Sequence, residues 1–306
     1  MSIAKIIEDK LKENRPNLSV NSVKTYVSIL KNLYKKVYPE EEFNLTKFKN
    51  QDKFLKFLEN VEGSKRKTYL SALVVICNDD CEKYLQLMTE DANNHSKEQK
   101  KQKRTEKQTE NWVEQDELNQ IINNHEVEAN KIFKLKTAPT MEQLQDAQNY
   151  ILLCLVSGKY IDVRRSLDWA EMKIKNFDEE SNSFEMPNRK PWKFIFRRYK
   201  TQASHGVQEI IITPELKKIL TKWIKLLNQV CPNAEYLLID KNCNKLSSVK
   251  ITQRLNKIFG RNASINIMRR SHVTAKYKDM PALEELMEDA KDMGHSLVQH
   301  LEYIAK

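Results

Sequence analysis

Only five glycines occur in the 306 residues, at positions 63, 158, 206, 260 and 294, and they are too far apart to form either GxGxxG or the GxxxxGK loop that cradles a nucleotide phosphate. Chemistry driven by a P-loop or a Rossmann-bound dinucleotide is thereby excluded. Long apolar runs are also missing: none approaches the ~20 residues a membrane span needs. The opening stretch MSIAKIIEDKLKEN is a charged amphipathic segment and not a signal peptide, so a soluble intracellular chain is expected. The five cysteines, at 77, 81, 154, 231 and 243, form no CxxC pair and show no Cys/His ligand spacing. Two of them sit in the apolar runs VVIC and LLCL, which predicts buried, reduced thiols and no metal site.

Positive charge is what the chain has in excess. A net charge of +10 suits a polyanionic partner, because cations on the surface release the counterions condensed on nucleic acid. Two segments concentrate it. Residues 96–108, SKEQKKQKRTEKQ, hold six Lys or Arg against two Glu and no large apolar side chain, and read as a basic linker. Within it Lys100, Lys101, Lys103 and Arg104 are candidate phosphate contacts. The stretch RKPWKFIFRRYK carries six basic residues and no acid in twelve positions, adding Lys193, Arg197 and Arg198 to that set.

The linker divides a length suited to two domains. Before it, apolar positions recur at three and four, as in Val23, Tyr26, Val27, Leu30, Leu33, Tyr34 and Val37, and nothing alternates like a strand. Residues 1–95 are therefore expected to form a helical bundle, 96–111 a linker, and 112–306 a second domain. That second domain opens with a helix capped near Asn111. It continues through MEQLQDAQNYILLCLVSG and then changes period: WAEMKI, SNSFEMP, WKFIFRRY and GVQEIIITP are short, β-branched or aromatic, and separated by turn residues. The expected fold is mainly α with a small antiparallel sheet, an α+β class.

Polar residues mark the element boundaries of this second domain: Arg164 and Arg165 in RRSLDWAEMKI, Lys200 at a hairpin, Arg269 in INIMRRSHVT, His295 in MGHS, and Tyr303 eight positions later. This ordered set resembles the tyrosine recombinase, or phage-type integrase, family over roughly residues 112–306. The paired RR before a short LD-aromatic stretch is closest in flavour to integrases of large DNA viruses and virophages. The resemblance implies a helical core-binding domain followed by a catalytic domain, a DNA-associated enzyme from a virus or mobile element, and a homotetramer on double-stranded DNA, with no cofactor. It also implies roles. The first arginine, Arg165 in one register or Arg164 in another, and Arg269 would hold the scissile phosphate. Lys200 would protonate the departing 5′ oxygen, His295 would assist, and Tyr303 would attack to leave a 3′-phosphotyrosyl bond. The physics agrees, since a phenol with an ordinary pKa near ~10 needs neighbouring cations to react at neutral pH.

The chain departs from the family pattern at three points. Asn266 stands where His or Lys usually precedes the second arginine by three, and as an auxiliary group it can donate a hydrogen bond without shuttling a proton. Arg270 replaces a frequent His, and Tyr160 occupies the commoner position of the first arginine. A type IB topoisomerase-like relaxase and a DNA-binding protein that has lost cleavage are the alternatives. Scattered carboxylates such as Asp162, Asp168 and Glu171 leave a metal-dependent nuclease as a more distant one.

Overall fold

A computed structural model of the chain describes residues 2–294 and 296–302. No helix among them is long and apolar enough to cross a membrane. The chain separates into two compact units, one of Met1–Lys103 with Pro281–Lys306 and one of Arg104–Met280. The C-terminal segment thus groups with the first unit, whereas the sequence pattern assigned it to the second domain.

In the first unit, α1 (Ile3–Asn14) and α2 (Val20–Val37) start on serine caps, Ser2 and Ser19, whose hydroxyls accept N–H groups of the first turn. A 3-10 turn (Leu45–Lys49) and α3 (Gln51–Leu58) follow, then α4 (Gly63–Cys77), buried continuously from Ala72 to Cys77, and α5 (Glu82–Lys100). Phe48 stacks on Phe54 at 5.4 Å and meets Tyr34 edge-on at 5.7 Å, and the buried Tyr84 hydroxyl donates to the Phe48 carbonyl at 2.8 Å. Arg66 forks onto the buried Asp91 at 2.9 and 2.7 Å, binding α4 to α5.

Helix α5 runs five residues into the expected linker. Its final turns bury nothing, but Lys, Glu and Gln are good helix formers, and extending an existing helix carries no nucleation cost.

The second unit begins with α6 (Glu106–Glu110), α7 (Gln115–Phe133) and α8 (Met141–Val156). Asn111 does not cap α7. It is buried and bridges the Lys107 carbonyl to the Asn262 N–H. Helix α8 is the apolar axis of the unit, buried without interruption from Tyr150 to Val156. Its buried Gln148 acts as a backbone surrogate, accepting from the Ile239 N–H at 2.7 Å and donating to the Ile239 carbonyl at 2.9 Å.

After the short α9 (Ser166–Ala170) come β1 (Met172–Lys173), β2 (Asn182–Glu185) and β3 (Lys193–Phe196). Then α10 (Gln202–His205) precedes β4 (Gln208–Ile211). The sheet order is β1-β2-β3-β4, with antiparallel pairing from β2 onward. All four expected strands are present, but β1 joins β2 in parallel, so the sheet is mixed. Beyond β1 the Ile174 N–H turns aside to the Glu235 carbonyl at 2.7 Å, which makes residues 174–181 a crossover instead of a hairpin. Phe194 and Phe196 press edge-on against the buried Trp169 at 5.1 and 5.4 Å, fastening the sheet to α9.

Helices α11 (Pro214–Val230), α12 (Ser248–Phe259) and α13 (Ile265–Lys276) complete the unit. The remaining α14 (Leu283–Asp292) and α15 (Leu297–Glu302) belong to the first unit, where the Leu283 N–H donates to Gln102 at 2.9 Å.

The expectation of five reduced thiols requires correction. Cys231, ending α11, and Cys243, in the turn before α12, form a disulfide across twelve residues. Folding brings them together although their spacing matches no motif. Cys77, Cys81 and Cys154 are free and buried, and burial pushes the Cys77 and Cys154 thiols up to about 12.

Three results should follow. Denatured, unreduced protein should titrate three thiols, rising to five after reduction. Cys77 and Cys154 should resist alkylation at pH 8 until the chain unfolds. Closing a twelve-residue loop is worth about 3 kcal/mol, so reduction should lower the unfolding free energy by up to that amount in urea titrations.

Candidate active site

The segment linking α8 to α9 carries both arginines, and packing gives them different fates. Arg164 lies across the Phe196 ring with its guanidinium 3.7 Å from the centroid, and 5.0 Å from that of Tyr199. Its Nε donates to Asp168 at 3.2 Å and its Nη1 to Gln208 of β4 at 2.7 Å. Burial opposes both charges, pushing the Asp168 carboxyl up and the Arg164 guanidinium down, while their ion pair works the other way. The second Asp168 oxygen is buried without a hydrogen-bond partner among the described residues. Arg165 precedes the first turn of α9 and accepts the Asp168 N–H through its carbonyl. Its half-buried guanidinium has no ion pair or hydrogen bond among the described residues. Asp168 therefore orients Arg164, four residues away, and not Arg165, three away.

Arg269 joins this segment from α13. Its Nε donates to the Val163 carbonyl at 3.1 Å, two residues before Arg165, and no carboxylate among the described residues pairs with it. Asn266, three residues earlier in the first turn of α13, is exposed.

The hairpin bearing Lys200 is tied to the same place. Buried Asn182 on β2 accepts the Arg197 and Arg198 N–H groups at 2.8 and 2.7 Å, and donates to the carbonyls of Asp168 and Arg198 at 3.2 and 3.0 Å. One side-chain amide thus joins the end of β3 to α9. Lys200 follows in the turn before α10, exposed, with no partner among the described residues, and the neighbouring Tyr199 hydroxyl closes the loop onto the Gly206 carbonyl at 2.7 Å.

The structure therefore brings together the segments carrying Arg164, Arg165, Lys200 and Arg269. His295 and Tyr303 lie outside the described residues. Asn182 and Gln208 escape a reading of the sequence because an amide in a strand looks like turn chemistry; their one signal is polarity inside a hydrophobic β pattern.

The expected phosphate contacts divide similarly. Lys193 is held between Glu209 and Glu185 at 3.0 and 3.8 Å, and Arg197 is bonded to Ser181 and Ser183. The Arg198 side chain is exposed and unpaired among the described residues. In the basic linker 96–108, a strap of cations, Lys101 pairs with Glu98, while Arg104 covers the Trp112 ring at 3.7 Å and meets Glu114 at 3.3 Å. Lys100 and Lys103 have no carboxylate partner among the described residues. Asp162 meets His272 and Lys276, Asp168 meets Arg164, and Glu171 meets Lys245, and no group of three or more potential metal ligands occurs among the described residues.

No family model and no curated protein matches the chain. Among solved structures, the crystal structure of XerA recombinase aligns with 99% of this chain and 94% of its own length, at 13% identity and a TM-score of 0.37.

The two arginines make a stability test. Arg164→Ala leaves a buried carboxylate unpaired and should destabilise the protein by about 3 kcal/mol, whereas Arg165→Ala should stay within about 0.5 kcal/mol of the parent. Urea unfolding of both variants measures the difference.

Proposed function

We propose that the protein is a site-specific DNA recombinase that cuts and rejoins strands through a covalent tyrosine intermediate, without ATP or a metal ion. The observation that carries this reading is the pair of guanidinium groups, Arg165 and Arg269, on adjoining segments with no carboxylate among the described residues to neutralise them. A phosphodiester in attack develops negative charge on its non-bridging oxygens, and two fixed forks stabilise that charge where it grows. Arg164 then acts as the brace of the site and Arg165 as its phosphate ligand.

In the reaction, the Tyr303 phenol gives its proton to solvent as its oxygen attacks phosphorus, the bond to the 5′ oxygen breaks, and Lys200 supplies the proton that this leaving oxygen takes up. His295 donates to the phosphate. The phosphotyrosyl ester keeps the bond energy, so a 5′ hydroxyl can reverse the step onto a new strand. These assignments rest on the ordered sequence motif, as do the core-binding role of residues 1–95, the catalytic role of 112–306 and a tetrameric synapse on duplex DNA. A viral or mobile-element origin rests on RRSLDWAEMKI alone.

Offered a duplex nicked just 3′ of the scissile phosphate, the enzyme should lose a short 5′-hydroxyl fragment and accumulate a detergent-resistant adduct on Tyr303, in EDTA and without nucleotide. Tyr303→Phe should bind DNA and form none, and Arg165→Ala should form it at least ~10²-fold more slowly. An adduct that needs Mg²⁺, or that persists in Tyr303→Phe, overturns the mechanism.

Asn266 favours a second reading, a DNA-binding protein of this fold without cleavage, because an exposed amide there moves no proton. DNA binding with no adduct on the nicked duplex would select it.

In either case the strap contributes to affinity. Since Lys101 and Arg104 already have protein partners, changing Lys100 and Lys103 to Gln should reduce the slope of log K against log salt by about two units. An unchanged slope would make the strap a spacer.

A further inference from the structure

A second contact on α13 grips the arginine-bearing segment one turn beyond Arg269. His272 Nε2 lies 3.3 Å from an Asp162 carboxylate oxygen, and Lys276 Nζ lies 3.9 Å from the same oxygen. The imidazole rests directly on the main chain of Gly158. A Cβ built there would stand 2.1 Å from His272 Nδ1, and the glycine holds a φ of +85°. Two independent features thus require glycine: the left-handed backbone and the space taken by the ring. The surrounding cleft, of about 310 Å³, is otherwise lined by polar and apolar groups of α7, the 157–159 turn and the end of α13, with Lys159 its remaining charged residue.

Residues 158–165 form the irregular connection between α8 and α9, and their course decides where the Arg165 guanidinium stands. They belong to no helix or strand. Arg164 ties their end to α9, β3 and β4, and α13 holds them at two further points, Arg269 to the Val163 carbonyl and His272 to Asp162.

We propose that His272, seated on Gly158 and clasping Asp162, is a positioning residue that sets the Arg165 guanidinium for phosphate binding. The catalytic consequence rests on the recombinase reading; the clasp itself does not. Misplacing a reacting group by about 1 Å costs as much as ~10²-fold in rate, and loosening one of several anchors should cost less than that.

Asp162 is the better residue to change, because its side chain is 77% exposed and its removal opens no cavity. Asp162→Ala should slow single-turnover adduct formation on the nicked duplex about tenfold, with DNA affinity within twofold and the unfolding midpoint unchanged. Asp162→Asn, whose amide oxygen still accepts from the imidazole, should recover most of the rate. Gly158→Ala, which displaces the ring, should reproduce the loss. A merely structural contact would move the midpoint and not the ratio of rate to affinity.

Amide hydrogen exchange over 157–165 separates this inference from the reading beneath it. Exchange should quicken in Asp162→Ala whether or not any adduct forms. If wild-type protein forms no adduct but exchange quickens, the clasp stands and the recombinase reading falls. Unchanged exchange, or a wild-type rate in Asp162→Ala, overturns the clasp.

Discussion

Burying Arg164 beside Asp168 withdraws two charges from water, a cost that their mutual attraction offsets only when the remaining donors and acceptors are also met. That demand is met in part, one Asp168 oxygen having no hydrogen-bond partner among the described residues. Gln208 takes one arm of the guanidinium, and the Phe196 ring covers its face. Asn182 holds the end of β3 against the carbonyl of Asp168, so that sheet and helix cannot drift apart. Small as it is, the sheet gives the half-buried cation two sides of its enclosure, Phe196 and Gln208, and α9 gives a third, Asp168. Arg165, next in sequence, is left outside that enclosure and therefore keeps its charge available.

The contrast between the two arginines explains what could and could not be read from the chain. The helices of the first unit and the four strands were legible because apolar spacing reports burial directly, whether at three and four or at two. The parallel entry of β1 was not, since a strand's direction depends on what captures the backbone after it, here the distant Glu235 carbonyl. The disulfide was equally invisible, because two cysteines twelve apart meet only when α11 ends and the following turn folds back. Within the site, residue types and order were visible, but the choice between Arg164 and Arg165 depended on which of them reaches Asp168, a matter of one residue of helical register. Gly158 did carry a signal. In a chain with so few glycines, one that follows a long apolar helix marks a close approach, although the partner, His272, lies more than a hundred residues away.

The stack of Arg104 on Trp112 has an optical consequence. Of the four tryptophans, Trp169 and Trp223 are sealed in the core, and Trp192 is half-buried beside Phe184 with Lys217 Nζ 4.9 Å from its ring. Trp112 differs from the two sealed rings: a guanidinium of the basic strap sits 3.7 Å above it. Drawing that cation toward a phosphate would change the field across the indole and shift its emission. The protein thus carries its own fluorescent gauge of where the Arg104 charge resides, with no label to attach.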